Sequence, residues 1–428
     1  MTTSGDFVKH IREKYLKHST HEQLFQRLQP RFPDQHPLEA QLPSNKDIAR
    51  EGAGLLREAL KQQGRDMPLV TGESTRPMDP TIYSRNIENF VGTCCMPVGL
   101  AGPLRVNGLN ALGDYIIPLA TTEAALVASF HRGCKAITLS GGVTTACLME
   151  CISRAPIFVF TSMPQALLFA SWIATQEDKI REVAESTSRF AKLLGYKLSL
   201  NGQDVVLFLE FSTGDASGQN MVTIATDAVC HYLAGISPVP IRRWFIESNM
   251  SGDKKATVLS FIHTRGKRVV AEVRIPAEVC KEVLKANPID IYEAWKICMV
   301  SSIQSGAIGS QGHFANGLTA LFIATGQDVA CVSEASVGIT EFSVEEDGSL
   351  LVNACLPSLV VGTVGGGTGL PTQKECLELL GCYGPGKAAA FAEICAGLVV
   401  AGEISITAAI AAGHFAKAHK ALARGPKK

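Results

Sequence analysis

Six short constellations in this chain combine residue types that can act on a carbonyl group or grip an anion. Asp253-Lys254-Lys255 lies in SNMSGDKKA, a connection between two predicted strands. Adjacent lysines there are either solvated surface or cations that a rigid sheet holds at a site. Glu123 opens the apolar run TTEAALVASF, where a carboxylate is either a cap on a helix N-terminus or a buried acid with a raised pKa. Gly326-Gln327-Asp328 places an acid directly after a predicted helix, which a turn aspartate also explains. In GTVGGGTG, Gly365, Gly366 and Gly367 let backbone amides approach a phosphate or simply close a tight loop. Ser188, Arg189 and Phe190 precede Lys192 on a predicted helix, where Arg189 and Lys192 share a face that either grips a phosphate or meets solvent. His419, in GHFAKAH beyond the last apolar segment, is a solvated tail imidazole or a general acid brought in by a folded tail.

The elements that must position these groups read as follows. Residues 121–142 form a predicted central helix, because 124–130 carry no charge on any face of a helical wheel and so argue for burial all round. Ser140-Gly141-Gly142 can stop it. Residues 1–85 are charged and weakly helical, best at 45–63, and form a small helical N-terminal domain. The Gly- and Pro-dense segment 88–104 is a poor helix and a poor long strand, and suggests close backbone approach at an interface. From 156 to 246 the pattern runs β-α-β-β-α-β, with a hairpin signal at Asn201-Gly202, which is the split βαβ or ferredoxin-like order. Residues 256–276 read as a second hairpin turning at 265–267. The apolar tract 388–412 reads as two packed core helices, since Glu393 and Glu403 would be costly in a membrane span. The fold class is α+β, with domains 1–85, 86–155 plus 247–428, and an inserted 156–246.

Composition narrows the partners. Forty basic and forty acidic residues leave no basic field for nucleic acid and no charged tail. Hydrophobic residues make up 46% and charged ones 19%, so much surface is expected between domains or subunits. Thirteen scattered cysteines without a CxxC pair fit a reducing, cytoplasmic setting, and no metal site is expected. The polar N-terminus is no signal peptide.

In combination and order, ENFVGTCCMPVGLAGPL, TTEAALVAS with HRGCKA, STSRF, GDASGQNM, DKKA, GQDVA, GTVGGGTG and AAGHFAKAH resemble the 3-hydroxy-3-methylglutaryl-coenzyme A (HMG-CoA) reductases over about residues 80–420, class I more than class II. The resemblance implies reduction of HMG-CoA to mevalonate and coenzyme A by two NADPH, with the inserted domain binding the nucleotide. It implies catalytic roles for Glu123, Lys254, Asp328 and His419. Lys254 would stabilise the oxyanion, His419 protonate the leaving thiolate, and Glu123 supply a proton with Asp328 beside it. Arg154 would clamp the substrate's carboxylate, and Asp253, Lys255, Asn316 and, after a one-residue gap, Lys296 would line the substrate side. Ser188, Arg189 and Phe190 would surround the cofactor's 2′-phosphate, with Asp215, Asn220 and the glycines at 365–367 completing the nucleotide site. A homodimer or homotetramer with the site shared between subunits is implied.

Departures from the family pattern are Ser217 and Gln219 in place of two methionines, and Glu247 in place of a small hydroxyl residue. The chain also reads VACVSEAS after Asp328, where an asparagine is common, and has Gly425 at the family's phosphorylatable serine. With no membrane anchor ahead of the motifs, the chain is either a naturally soluble member or the catalytic portion of a longer protein. Two alternatives remain at this level. One is an NAD-linked enzyme oxidising mevalonate, against which Arg189 and Lys192 count. The other is a non-catalytic relative that binds acyl-coenzyme A, against which the retained Glu123, Lys254, Asp328 and His419 count.

Overall fold

A computed structural model describes residues 15–16, 19–44, 47 and 52–413. One long strand organises its sheet. Strands β1 (Val98–Gly108) and β2 (Leu112–Ala120) form an antiparallel hairpin. After helix α3 (Leu126–Leu139), the twelve-residue β3 (Val143–Arg154) pairs parallel to β1 at its start. Its body runs antiparallel to β8 (Gly266–Ile275) and its last three residues pair with β6 (Asp204–Ser212). β3 thus joins the strands of residues 156–246 to the rest of the sheet, in the order β7 (Arg243–Phe245), β4 (Ile157–Val159), β6, β3, β8, β10 (Leu350–Leu359), β9 (Ile339–Val344). β9 and β10 close the other edge.

Within the insertion the elements are β4 (Ile157–Val159), α4 (Met163–Ile173), α5 (Glu177–Ser186), β5 (Lys192–Asn201), β6, α6 (Gln219–Ile236) and β7 (Arg243–Phe245). The strands lie in the order β5-β6-β4-β7, each neighbouring pair antiparallel. The tight β5–β6 turn uses Gly202 at φ 61° between the paired Asn201 and Asp204.

The helix buried on every side is not the one expected. It is α10 (Ala388–Ala411), a single helix of 24 residues, not two. By length and composition it could cross a membrane, but it lies inside this fold against α3, β3, β8 and α7 (Pro288–Gln304). Its glycines do not break it, because they are contact points. A side chain at Gly402 would meet the ring of Phe130 on α3, and one at Gly133 on α3 would meet the backbone of Ala401. The two helices therefore approach closely where Cβ atoms are missing. Helix α3 keeps one open face: Leu139 is 42% exposed and Ala128 is also exposed.

Two acids inside α10 explain why this apolar run contains charge. Glu393 accepts the backbone N–H groups of Asn110 (2.8 Å), Ala111 (2.7 Å) and Cys147 (2.9 Å), and the Asn110 side-chain amide (2.6 Å). Glu403 accepts from Gly312 N (2.6 Å) and His313 N (2.7 Å), ahead of helix α8 (Phe314–Thr325). Burial pushes the Glu393 carboxyl above its usual range, and the N–H donors pull against that shift.

The N-terminal elements α1 (His21–Arg27) and α2 (Ala53–Gln62) are tied to the sheet. Buried Arg105 on β1 forks onto Asp114 (2.7 and 2.8 Å) and also donates to the carbonyls of Arg31, His36 and Pro37. Ala40, Leu60 and Met67 share a core with Ile116, Ala120, Ala324 and Leu379, the last on α9 (Pro371–Leu379).

Three further expectations are corrected. Residues 98–104 are the first half of β1, because β2 supplies partners that the local composition does not reveal. The stretch 256–276 is no hairpin: a short helix, Leu259–Ile262, precedes the single strand β8. Helix α5 ends at Ser186, so Arg189 and Lys192 do not share a helical face, and Lys192 starts β5 instead.

Because Glu393 satisfies four donors from the β1–β2 turn and β3, Glu393→Ala is expected to destabilise the protein by about 3 kcal/mol, with stranded N–H groups as the main cost. Urea unfolding should show a lower midpoint at unchanged slope; a midpoint equal to that of the parent would contradict this role.

Candidate active site

Three motifs meet through backbone contact at one end of the sheet. Gly326 ends α8 at φ 69°, and a side chain there would collide with the Gly367 carbonyl. In turn, a Cβ on Gly367 would lie 2.6 Å from the Gly326 carbonyl. A Cβ on Gly362 would lie 2.5 Å from Ser217 N. Gln327 completes the junction by accepting from Gly362 N (2.9 Å). The segments GQD, GTVGGG and DASGQN are therefore locked together by glycine contacts, and Asp328 leaves the junction pointing at the Asp253-Lys254-Lys255 loop.

Lys254 Nζ lies 2.9 Å from Asp328 Oδ2, with both side chains partly open to solvent at 46% and 40%. The hydrogen bond to Asp328 raises the Lys254 pKa, against desolvation, so the ammonium persists at neutral pH. The backbone of Lys254 is itself unusual, at φ 55° in the left-handed region. Its N–H donates to Glu334 Oε1 (3.2 Å), a nearly fully buried carboxylate in the short helix Val332–Ala335 that follows Asp328. That bond helps to hold a conformation that an L-residue adopts at some cost.

Buried Arg265 ties the loop to the sheet. Its Nη2 donates to Asp253 Oδ1 (2.5 Å) and Gln219 Oε1 (3.0 Å), and its Nη1 to the Ser153 carbonyl (2.8 Å). Its Nε is 3.4 Å from Glu334 Oε1. Arg154, at the end of β3, donates from Nη1 to Asp253 Oδ2 (2.8 Å) and Glu247 Oε2 (3.4 Å). Burial opposes ionisation of Asp253, but Arg265 and Arg154 together outweigh it and hold its carboxyl below the usual range. Burial pushes Glu334 the other way, and its Oε2 has no hydrogen-bond partner. Gln219 also donates to Cys331 Sγ (2.8 Å) and reaches Asp328 Oδ2 at 3.5 Å, so this departure from the family pattern extends the polar network. Lys255 is exposed and reaches back to the Asp253 carbonyl (3.0 Å).

Glu123 is placed elsewhere. It precedes α3 in a loop, exposed, and not in the helix's first turn, because Ala125 at φ 69° delays the helix start to Leu126. Its Oε1 accepts from Asn316 Nδ2 (3.2 Å). No hydrogen bond or ion pair joins it to Lys254 or Asp328 among the described residues. The reason is geometric: Asn316 lies in the first turn of α8 and Asp328 beyond its last, with about 15 Å of helix between. Glu123 and Asn316 instead line a cavity of about 980 Å³ with His131, Arg132, Lys135 and His313. The expected catalytic group is thus split within one chain. Lys254 and Asp328 meet at one end of α8, and Glu123 and Asn316 at the other.

The expected nucleotide residues are spread over two regions. Ser188, Arg189 and Phe190 form the turn after α5, where Phe190 is 66% exposed and the Arg189 guanidinium lies 5.9 Å from its ring centre. Ser188 Oγ holds this turn by accepting from Phe190 N (3.2 Å). Asp215 has both carboxylate oxygens engaged, with Gly386 N (2.7 Å) and Ala388 N (3.0 Å), at the start of α10. That makes it a tie between the insertion and the core helix. Asn220 is exposed in the first turn of α6, and Gly365 and Gly366 are exposed in the loop beside Gly326. Lys296 is exposed on α7, and no hydrogen bond or ion pair joins it to either half of the site among the described residues. His419 lies outside the described residues.

Sequence reasoning missed Arg265, Glu334 and the Glu403–His313 pair (3.0 Å). Glu334 had a readable signal: like Glu393 and Glu403 it is a lone acid in an apolar run. Arg265 was hidden inside a supposed hairpin turn. Since the Asp253 pKa is depressed, its pairs contribute stability fully above about pH 3.8, and that contribution is lost as pH falls through the lower folded value. Asp253→Asn is therefore expected to flatten the acid limb of a stability-versus-pH curve. Parallel limbs for the two proteins would remove Asp253 from the acid response.

Comparison with known proteins adds an independent observation. The hydroxymethylglutaryl-coenzyme A reductase family model matches residues 56–424. The 3-hydroxy-3-methylglutaryl-coenzyme A reductase of Pyrococcus horikoshii is 44% identical over 355 residues, covering 81% of this chain and 86% of that one. The protein of the same name from Aeropyrum pernix is 45% identical over 369 residues, covering 83% and 87%. A class II HMG-CoA reductase from Streptococcus pneumoniae, solved bound to NADPH in open conformations, superposes with a TM-score of 0.69 at 21% identity, covering 86% of this chain and 100% of that one. That likeness is one of fold. With a family model spanning most of its length and relatives above 40% identity, the chain belongs to the hydroxymethylglutaryl-coenzyme A reductase family.

Proposed function

We propose that the chain reduces HMG-CoA to mevalonate and free coenzyme A in two steps, using Lys254 and Asp328 from one copy of the chain and Glu123 and Asn316 from another. Family membership supports the reaction. The single observation that carries the residue assignment is the 2.9 Å Lys254–Asp328 pair, held by buried groups at the mouth of the glycine junction. A thioester carbonyl that accepts hydride becomes an oxyanion, and a fixed ammonium stabilises it better than reorienting water can. The left-handed backbone at Lys254, bonded to Glu334, and the Asp328 carboxylate set its position before substrate arrives. Arg154 offers a guanidinium to the free carboxylate of the acyl chain.

The cofactor we assign is NADPH, which supplies the hydrides when bound. The exposed Arg189 guanidinium beside the exposed Phe190 ring fits a phosphate next to a nucleobase, and the solved structure that this fold resembles holds NADPH. The open glycines Gly365 and Gly366 allow close approach of a flat ring to the Lys254 end of the site. The cavity at the Glu123 end carries Arg132 and Lys135, cations suited to the phosphates of coenzyme A, beside His131, which burial and Lys135 hold toward the neutral imidazole.

An oligomer follows from the split site. In a twofold dimer each chain's Glu123 half can meet the partner's Lys254 half, and symmetry then completes two sites at once. Association would also bury Glu123, which is exposed in the isolated chain. Glu123 then becomes the proton source for the alcohol oxygen. His419 remains our assignment for protonating the thiolate, by its motif alone. Thirteen scattered cysteines without a CxxC pair suit a reducing cytoplasmic setting.

Assayed with HMG-CoA, the protein should consume two NADPH per coenzyme A released, and much less NADH at equal concentration. Lys254→Ala should abolish turnover while leaving the melting temperature close to that of the parent; normal turnover would remove the lysine from the mechanism. Mixing inactive Lys254→Ala and Glu123→Gln subunits after dissociation should restore about a quarter of parental activity, because half of randomly formed dimers then carry one intact site of two. No recovery, with exchange of subunits verified, would confine the whole site to one chain.

A further inference from the structure

The most unusual feature of the Lys254 half is that one guanidinium nitrogen faces two carboxylates. Arg154 Nη1 contacts Asp253 Oδ2 at 2.8 Å and Glu247 Oε2 at 3.4 Å. The Asp253 contact is accounted for by structure, because Asp253 also receives Arg265 and so joins the loop to the sheet. Glu247 has no such second cation among the described residues. Its other oxygen, Oε1, accepts from Asn249 N (2.8 Å), which holds the carboxylate at the start of the loop without neutralising it. Arg154 is anchored independently, through Nε to Thr223 Oγ1 (3.0 Å), and its Nη2 has no partner among the described residues. The cluster therefore does not need Glu247 to hold Arg154 in place.

We propose that Glu247 is a specificity-determining residue of the carboxylate subsite, an internal carboxylate that occupies Arg154 and competes with the free carboxylate of the substrate's acyl chain. The inference rests on the reading of Arg154 as the group that takes that carboxylate. Charge counting supports it. The half-site holds Arg154, Arg265, Lys254 and Lys255 against Asp253, Glu247, Asp328 and Glu334, four formal charges of each sign. An anionic acyl chain thus enters a formally neutral cluster, whereas without Glu247 it would enter one with an excess positive charge. The Glu247 side chain is 21% exposed, so it can turn outward to water when a better-placed carboxylate arrives across Nη1 and Nη2. The loss of its contact with Arg154 sets a penalty that only a ligand with its own carboxylate recovers. Acyl-coenzyme A molecules lacking that group find Arg154 already paired.

The test compares Glu247→Ser and Glu247→Gln with the parent in steady-state reduction of HMG-CoA, and in inhibition by glutarate, which has the carboxylates but no coenzyme A. KM for HMG-CoA and Ki for glutarate should both fall roughly two- to fivefold, the scale of a partly exposed ion pair, while kcat moves less. The gain should shrink as salt is raised. A KM and Ki that stay put or rise in well-folded variants overturn the inference. Glu247→Asp, which keeps the charge but draws it back from Arg154, gives the same test with a smaller expected fall if either first variant fails to fold. Arg154→Gln separates this inference from the reading beneath it. If that change leaves KM for HMG-CoA and Ki for glutarate unaltered, Arg154 is not the carboxylate subsite. If it raises both while the Glu247 variants lower neither, only the role of Glu247 fails.

Discussion

Helix α8 is fixed at both ends by contacts that leave no room for adjustment, and its length sets the geometry of the site. At its start the buried Glu403 takes the N–H groups of Gly312 and His313. At its end Gly326 lies against the backbone of Gly367, where no side chain fits. A helix held in this way acts as a rigid spacer. Asn316 with Glu123 at one end and Asp328 with Lys254 at the other are separated by about 15 Å of helix, a distance side chains do not close. Much of the functional reading follows: two half-sites in one chain, each with its own polar equipment, and a reason for copies of the chain to associate.

The core helix α10 makes that rigidity possible. It carries two carboxylates through an almost wholly apolar environment, which is costly for a charge unless every oxygen is met by donors. Glu393 and Glu403 are both met, one by the β1–β2 turn and β3, the other by the approach to α8. Since those donors are backbone N–H groups from segments far apart in the chain, the same bonds that neutralise the cost also fix how sheet, hairpin and α8 sit relative to one another. Glycine contacts with α3 at Gly133 and Gly402 let the helices approach closely enough for the bonds to form.

The Lys254 loop depends on a different balance. Its residues are polar and its backbone enters the left-handed region at Asn249, Gly252 and Lys254. Such a loop keeps one shape only when its surroundings over-determine it. Here Arg265 and Glu334, both nearly fully buried, supply the constraint from below, and Gln219 joins them to Asp328. The Lys254 ammonium, proposed above for catalysis, is therefore partly exposed while the groups that aim it are not, an arrangement suited to a cation that must meet a substrate without first reorganising.

The sequence by itself determined the family and the chemical inventory. Ordered motifs depend only on residue identity and spacing, so Lys254, Asp328 and Arg154 could be named, and the β-α-β-β-α-β order of 156–246 could be read from periodicity and the Asn201-Gly202 turn. Tertiary structure decided what depends on partners distant in sequence. It made 98–104 a strand by giving it β2, and moved the all-round buried helix from 121–142 to α10. It also ended α5 before Arg189 and put Glu123 in an exposed loop about 15 Å of helix away from Lys254 and Asp328. Local pattern reports how apolar a segment is, but not which neighbour covers it. For that reason the buried acids could be noticed in sequence as anomalies, while the donors that make them stable, and the separation they impose on the site, appear only when the chain is folded.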